Sequence, residues 1–131
     1  MNADQAGPSS DALKKVMLVE DDADIRTVAK MALEMVGGLE VQACASGEEA
    51  LAAVGSFAPD LVLLDVMMPG LNGYEVCRAI RADPSTGVLP VVMVTSLDPA
   101  QERIKGLEAG ADDFLTKPIN QAELLARVKS L

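Results

Sequence analysis

Histidine is absent from the 131 residues, which excludes a Ser-His-Asp triad and the imidazole ligation that most transition-metal sites use. Cysteine is nearly absent. Cys44 and Cys77 show no CxxC spacing and read as small core residues in a reducing compartment, not as a disulfide or metal site. Basic residues are scarce, 11 against 20 acids for a net charge of -9. Nucleic-acid binding needs Lys and Arg on phosphates, so no direct nucleic-acid partner is expected; cations and basic protein surfaces are favoured instead. No apolar run approaches the ~20 residues of a membrane-spanning helix, and the polar stretch Met1 to Asp11 lacks a signal-peptide core. A soluble, cytoplasmic protein without membrane contact is predicted. GxxxxGK and GxGxxG are also missing, which counts against nucleotide and dinucleotide binding.

What is present is 50% hydrophobic, enough for one domain with a real core, in a chain too short for two. Residues 1–13 are small, polar and aperiodic and are expected to be a disordered tail or expression remnant; the domain is 14–131. From Lys15 short apolar runs alternate with amphipathic stretches. Ile25, Val28, Ala29, Ala32, Leu33 and Val36 recur at helical spacing, predicting one buried face, and Gly37-Gly38 stops that helix. Ser46 with Glu49 reads as a capping box. Pro69-Gly70 and Asn72-Gly73 read as a turn before a helix that carries Val76 and Ile80 and ends near Asp83-Pro84. Asp98-Pro99 opens a helix through Ile104 and Leu107 that Gly110 closes. Asn120 with Glu123 opens a last helix with Leu124, Val128 and Leu131 on one face. Strands that are apolar throughout and separated by helices predict an α/β fold, a single doubly wound domain whose parallel sheet is covered on both faces.

In such sheets the ligand lies outside the carboxyl ends of the strands, and the chemically capable residues fall there. Val16-Met17-Leu18-Val19 stops at Glu20-Asp21-Asp22, and Leu61-Val62-Leu63-Leu64 delivers Asp65. Val91-Val92-Met93-Val94 stops at Thr95-Ser96, and Phe114-Leu115-Thr116 is followed by Lys117. Three carboxylates brought together either bind protons or recruit a cation. Glu20, Asp21 and Asp65 suit Mg²⁺, with Mn²⁺ as an alternative, and the backbone carbonyl of Met67 would complete the set. Asp65 as nucleophile, with Lys117 and the Thr95 hydroxyl holding phosphoryl oxygens, makes a phosphoryl-transfer site. Asp22 and Asp24 read as caps of the first helix.

With these four strand ends at these intervals, residues 14–131 resemble the receiver domain of bacterial two-component response regulators. The resemblance implies a flavodoxin-like fold of five parallel strands and five helices. It implies that Asp65 takes a phosphoryl group from a sensor histidine kinase or a histidine phosphotransfer protein, with Mg²⁺ at Glu20, Asp21, Asp65 and the Met67 carbonyl. Because the chain has no histidine, the phosphohistidine sits on the partner. The domain would be a signalling phosphoacceptor and not an enzyme, catalysing only its own phosphorylation and slow dephosphorylation. Its switch would couple Thr95 to Phe114, which stands where the family often has tyrosine and so lacks the polar latch. The switched face would be the fourth helix, fifth strand and fifth helix. There Arg103, Asp112, Asp113, Glu123 and Arg127, with Lys105, Glu108 and Lys129, match the charged set of the transcription-factor branch, implying a phosphorylation-dependent homodimer around Ile104, Leu107 and Leu125. Met67 and Leu97 are apolar at the positions that tune hydrolysis, implying a long-lived phosphate. Lys117-Pro118 is a candidate cis peptide that would aim the lysine inward.

Two rival readings carry different chemistry. A receiver-like docking module would signal without phosphorylation, but would keep clustered carboxylates at a cost and without use. An aspartyl-nucleophile phosphatase would use the DxD of Asp22-Ala23-Asp24, but the chain has no room for a substantial capping segment.

Overall fold

Five aliphatic runs become strands in the computed structural model, which describes residues 14–96, 99–117 and 120–130. They are β1 (Lys15–Val19), β2 (Glu40–Cys44), β3 (Leu61–Asp65), β4 (Val91–Thr95) and β5 (Asp113–Thr116). All pair in parallel, in the order β2-β1-β3-β4-β5. Five helices alternate with them: α1 (Ala23–Met31, continued by a π-helical turn Ala32–Val36), α2 (Gly47–Phe57), α3 (Gly73–Ala82), α4 (Pro99–Ala109) and α5 (Gln121–Ser130). This strand order is the flavodoxin-like one, as expected.

Alternation along the strands divides the core into two layers. Val16, Leu18, Leu61, Leu63, Val92 and Val94 pack with Ala29 and Leu33 of α1 and with Leu124 and Val128 of α5. Met17, Val62, Leu64, Val91 and Met93 pack on the other face with Val54, Val76, Ile80 and Ala109 from α2, α3 and α4. Every residue of β3 and β4 is buried. The expectation of strands apolar throughout fails at β2, which lies at the sheet edge and exposes Glu40 and Gln42.

Local chemistry sets the helix starts. Asp22 caps α1, accepting from the N–H groups of Asp24 and Ile25 at 2.9 and 3.1 Å, which is the capping role expected of it. Asn72 and Glu75 form a reciprocal capping box at 3.0 and 2.9 Å, so the pair read as a turn is the cap and first residue of α3. At α2 only half of the expected box forms: Ser46 accepts from Glu49 N–H, but the Glu49 carboxylate reaches the N–H of Ala45 instead of Ser46. Asn120 accepts from Glu123 N–H at 3.0 Å, as predicted.

The single buried face expected of α1 is corrected. Ala29, Ala32 and Leu33 are buried, but Val28 and Val36 are 68% and 60% exposed. The π-helical turn holds an extra residue, which carries Val36 out of line with the α-helical period, and Val28 stands on the rim of a groove described below. No described helix is long and apolar enough to cross a membrane. The expectations for residues 1–13, Leu97, the Asp98 cap, the Lys117-Pro118 bond and Leu131 lie outside the described residues.

Candidate functional site

Sheet register brings the polar strand ends together. Val19 pairs with Leu64 and Asp65 with Val94, so Glu20, Asp65 and Thr95 leave three adjacent strands side by side. Thr95 pairs with Thr116, which sets Lys117 one step further along the same edge, and Lys117 N–H donates to Thr95 O at 2.8 Å. Glu20, Asp65 and Thr95 are only 3%, 2% and 2% exposed, while Asp21 and Met67 face solvent at the rim.

Lys117 Nζ lies 3.1 Å from Glu20 Oε1 and 3.2 Å from Asp65 Oδ1. Carboxylate oxygens of Glu20, Asp21 and Asp65 all fall within 4.8 Å of one another. One ammonium therefore pairs with two of the three acids, and Asp21 adds a third negative charge beside them. Burial, then the negative charge of Glu20, push Asp65 up to about 7, against the opposing pull of Lys117. At Lys117 burial acts to lower the pKa, but the hydrogen bond to Glu20 and the attraction of both carboxylates outweigh it, and the ammonium is held above its ordinary range. The donors are all oxygen and the negative charge exceeds what one lysine balances. A hard divalent cation such as Mg²⁺ fits that donor set.

Other candidates are used structurally. The Asp22 carboxylate caps α1 through Oδ1, which counts against it as the nucleophile of the phosphatase reading. Cys44 and Cys77 are buried free thiols, each pushed up mainly by burial. Asp112 accepts from Arg81 Nη2 at 2.9 Å and from Val91 N–H at 2.8 Å. Arg127 Nη1 donates to both oxygens of Asp113 at 2.8 and 2.9 Å and lies 4.0 Å, through Nη2, from Glu123. The Arg103 guanidinium sits 5.1 Å from the centroid of Phe114. Phe114 is buried, its ring filling the space a side chain at Gly106 would occupy.

Two residues that sequence reasoning passed over border the pocket. A Cβ at Gly73 would lie 2.5 Å from Asp65 O and 2.8 Å from Val66 Cα, so α3 presses its first turn against the main chain that presents Asp65. The Asn72-to-Glu75 spacing is itself a cap signature and could have placed this turn. Arg26 donates through Nη1 to Glu20 O at 2.8 Å and Asp21 O at 3.3 Å; nothing in its sequence context distinguishes it from a surface arginine. Beside Lys117 a groove of about 300 Å³ runs between α1 and α5, lined by Ile25, Val28, Ala32 and Leu124.

The profile of the response regulator receiver domain family matches residues 16–129. The response regulator PleD of Caulobacter vibrioides is 47% identical over 119 residues, which cover 89% of this chain and 26% of PleD. The chemotaxis protein CheY4 of Vibrio cholerae superposes with a TM-score of 0.85 at 31% identity, covering 90% of this chain and 98% of that one. A BeF3-activated DrrB receiver domain superposes with a TM-score of 0.78 at 37% identity, covering 90% and 96%. The chain thus spans about a quarter of PleD and nearly all of the single-domain neighbours. With this fold and these matches, the chain belongs to the response regulator receiver domain family.

Proposed function

We propose that Asp65 accepts a phosphoryl group from a phosphohistidine carried by a partner histidine kinase or phosphotransfer protein. The observation that carries this reading is a buried carboxylate at the end of β3, 3.2 Å from Lys117 Nζ and grouped with two further carboxylates. An Asp65 oxygen attacks phosphorus, a P–O bond forms, the P–N bond breaks, and its electron pair returns to the donor imidazole. Mg²⁺, held by Glu20, Asp21, Asp65 and the Met67 carbonyl, would supply positive charge against the phosphoryl oxygens. Lys117 gives up its contact with Asp65 to hold one phosphoryl oxygen, and the Thr95 hydroxyl donates to another. The apolar Met67 at the rim positions no attacking water, which favours a long-lived phosphate.

The donor must bring its imidazole to this sheet edge. The groove beside Lys117, with Val28, Met31 and Met35 exposed along α1, supplies the adjoining apolar surface for a helical partner. Signal output would run through Thr95 and Phe114. Phe114 lies between Gly106 and Arg103, so its repacking would be felt on the face of α4, β5 and α5. Homodimerisation through Arg103, Asp112, Asp113, Glu123 and Arg127 would exchange the internal Arg127–Asp113 and Arg81–Asp112 pairs for pairs across a two-fold axis. That exchange supports a dimer gated by the switch over a constitutive one.

The test is the intact mass after incubation with acetyl phosphate, with and without Mg²⁺, for wild type and Asp65→Asn. A metal-dependent gain of one phosphoryl group, absent in the variant, is expected. No gain under any condition would favour the docking module, and continuous phosphate release would favour a phosphatase. Sedimentation of the phosphorylated protein, expected to shift to dimer, checks the output face.

A further inference from the structure

We infer that Arg26 is a positioning residue of the acidic pocket, its guanidinium clamping the main chain of the two residues that carry the metal-binding carboxylates Glu20 and Asp21. The inference rests on the Mg²⁺-dependent reading above and adds a residue that this reading does not use.

The two carboxylates are held very differently. Glu20 is fixed through its side chain, Oε1 by Lys117 at 3.1 Å and Oε2 by the N–H of Asp22 at 3.1 Å. The Asp21 side chain is exposed and, among the described residues, has no hydrogen bond or ion pair. Its direction depends on its main chain. At that point β1 has ended and the carbonyls of Glu20 and Asp21 need donors from elsewhere. Arg26 Nη1 serves both, at 2.8 and 3.3 Å.

The donor is itself well placed. Asp22 caps α1, and Arg26 N–H closes the first helical turn onto Asp22 O at 2.9 Å. The loop caps the helix, the helix carries the arginine, and the arginine returns to the loop. Such a closed circuit fixes a metal-binding carboxylate without touching the carboxylate. Groups that orient ligands in this way are worth as much as tenfold or more in metal affinity.

Charge and geometry make opposite predictions here. A guanidinium near a divalent-cation site repels the cation, so if Arg26 acted through its charge alone, neutralising it would tighten Mg²⁺ binding. If it acts by holding the carbonyls, neutralising it weakens binding because Asp21 loses its fixed direction. The sign of the change separates the two.

The experiment titrates the metal-free full chain with Mg²⁺ by calorimetry, and with Mn²⁺ by electron paramagnetic resonance, for wild type, Arg26→Gln, Arg26→Lys and Arg81→Gln, with a thermal melt of each. Arg26→Gln is expected to raise the half-saturating metal concentration about tenfold, and its acetyl phosphate reaction to recover at high Mg²⁺. Arg26→Lys keeps the charge but not the planar fork, and an intermediate loss is expected; if the glutamine variant does not fold, the lysine variant carries the test. Arg81→Gln, which breaks a carbonyl clamp at the far edge of the sheet, should lower the melting temperature and leave half-saturation unchanged. Unchanged or tighter binding in the Arg26 variants overturns the assignment. Absence of Mg²⁺ binding by the wild type overturns the phosphoacceptor reading itself, and the positioning role with it.

Discussion

The two edges of this sheet are built from the same residue types and serve opposite ends. At the amino edge Asp60 and Asp112 each have their own partners. Asp60 accepts from the N–H groups of Lys14 and Lys15, both at 2.9 Å. Asp112 accepts from Arg81 and Val91, while Arg81 also donates to Gly110 O at 2.9 Å and Leu89 O at 2.6 Å. At the carboxyl edge Glu20 and Asp65 share one lysine, with Asp21 grouped beside them, and Asp65 is pushed up to about 7, chiefly by burial and by Glu20. One edge is electrostatically settled and holds the domain together. The other retains repulsion that a cation would relieve, which is what a site reserved for chemistry requires.

The largest separation between the edges should come from removing one carboxylate at each. Asp65→Asn is expected to abolish phosphorylation by acetyl phosphate and, at pH 8 without metal, to stabilise the domain by about 1–2 kcal/mol, because a buried and poorly compensated charge is gone. Asp112→Asn should keep phosphorylation and lose about 1–2 kcal/mol, the cost of weakening hydrogen bonds to a charged acceptor. Urea denaturation and intact mass measure both effects. Equal destabilisation by the two substitutions would erase the distinction between the edges.

A matched pair of glycines sharpens the comparison with a smaller effect. A methyl group at Gly73 would run into the backbone of Asp65 and Val66, which cannot swing aside. A methyl group at Gly110, where φ is +100°, would meet the Arg81 side chain at 2.9 Å. Both alanine variants should lose about 1–3 kcal/mol through overpacking or left-handed strain. Only Gly73→Ala should also slow phosphorylation measurably in a stopped-flow assay, because only there does the collision move Asp65, the proposed nucleophile. Normal phosphorylation by Gly73→Ala would mean that α3 does not set the position of Asp65.

Much of this contrast was legible in the residues alone, and the rest was not for identifiable reasons. Four apolar runs each ending in a reactive side chain placed Glu20, Asp65, Thr95 and Lys117 on one edge, because a parallel sheet aligns its strand ends. The partners of the charged residues could not be read. Asp112 and Asp113 look like free surface acids until the fold brings Arg81 and Arg127 to them from positions far away in sequence. Arg26 is hidden for a related reason: it bonds main-chain carbonyls, which leave no mark in a sequence. The exposure of Val36 was missed because helical spacing assumes 3.6 residues per turn and the π-helical turn over Ala32–Val36 breaks that count.

The smallest effect bears most directly on the repulsion at the carboxyl edge. Asp65 has a folded pKa of about 7 against roughly 3.9 for an unfolded aspartate, so between those values the folded state binds the extra proton. The associated stability is fully present below the lower value and is lost as pH rises through the upper one. Metal-free wild type should therefore lose about 1 kcal/mol more than Asp65→Asn between pH 6 and pH 8, read from urea midpoints in EDTA. Saturating Mg²⁺ should flatten the difference, since the cation favours the ionised carboxylate. Lys117→Met removes the one group that pulls Asp65 down, and should move the same loss to higher pH. Parallel pH profiles for wild type and Asp65→Asn would mean that water at the rim compensates Asp65 as well as Arg81 compensates Asp112, and the two edges would differ in composition but not in energy.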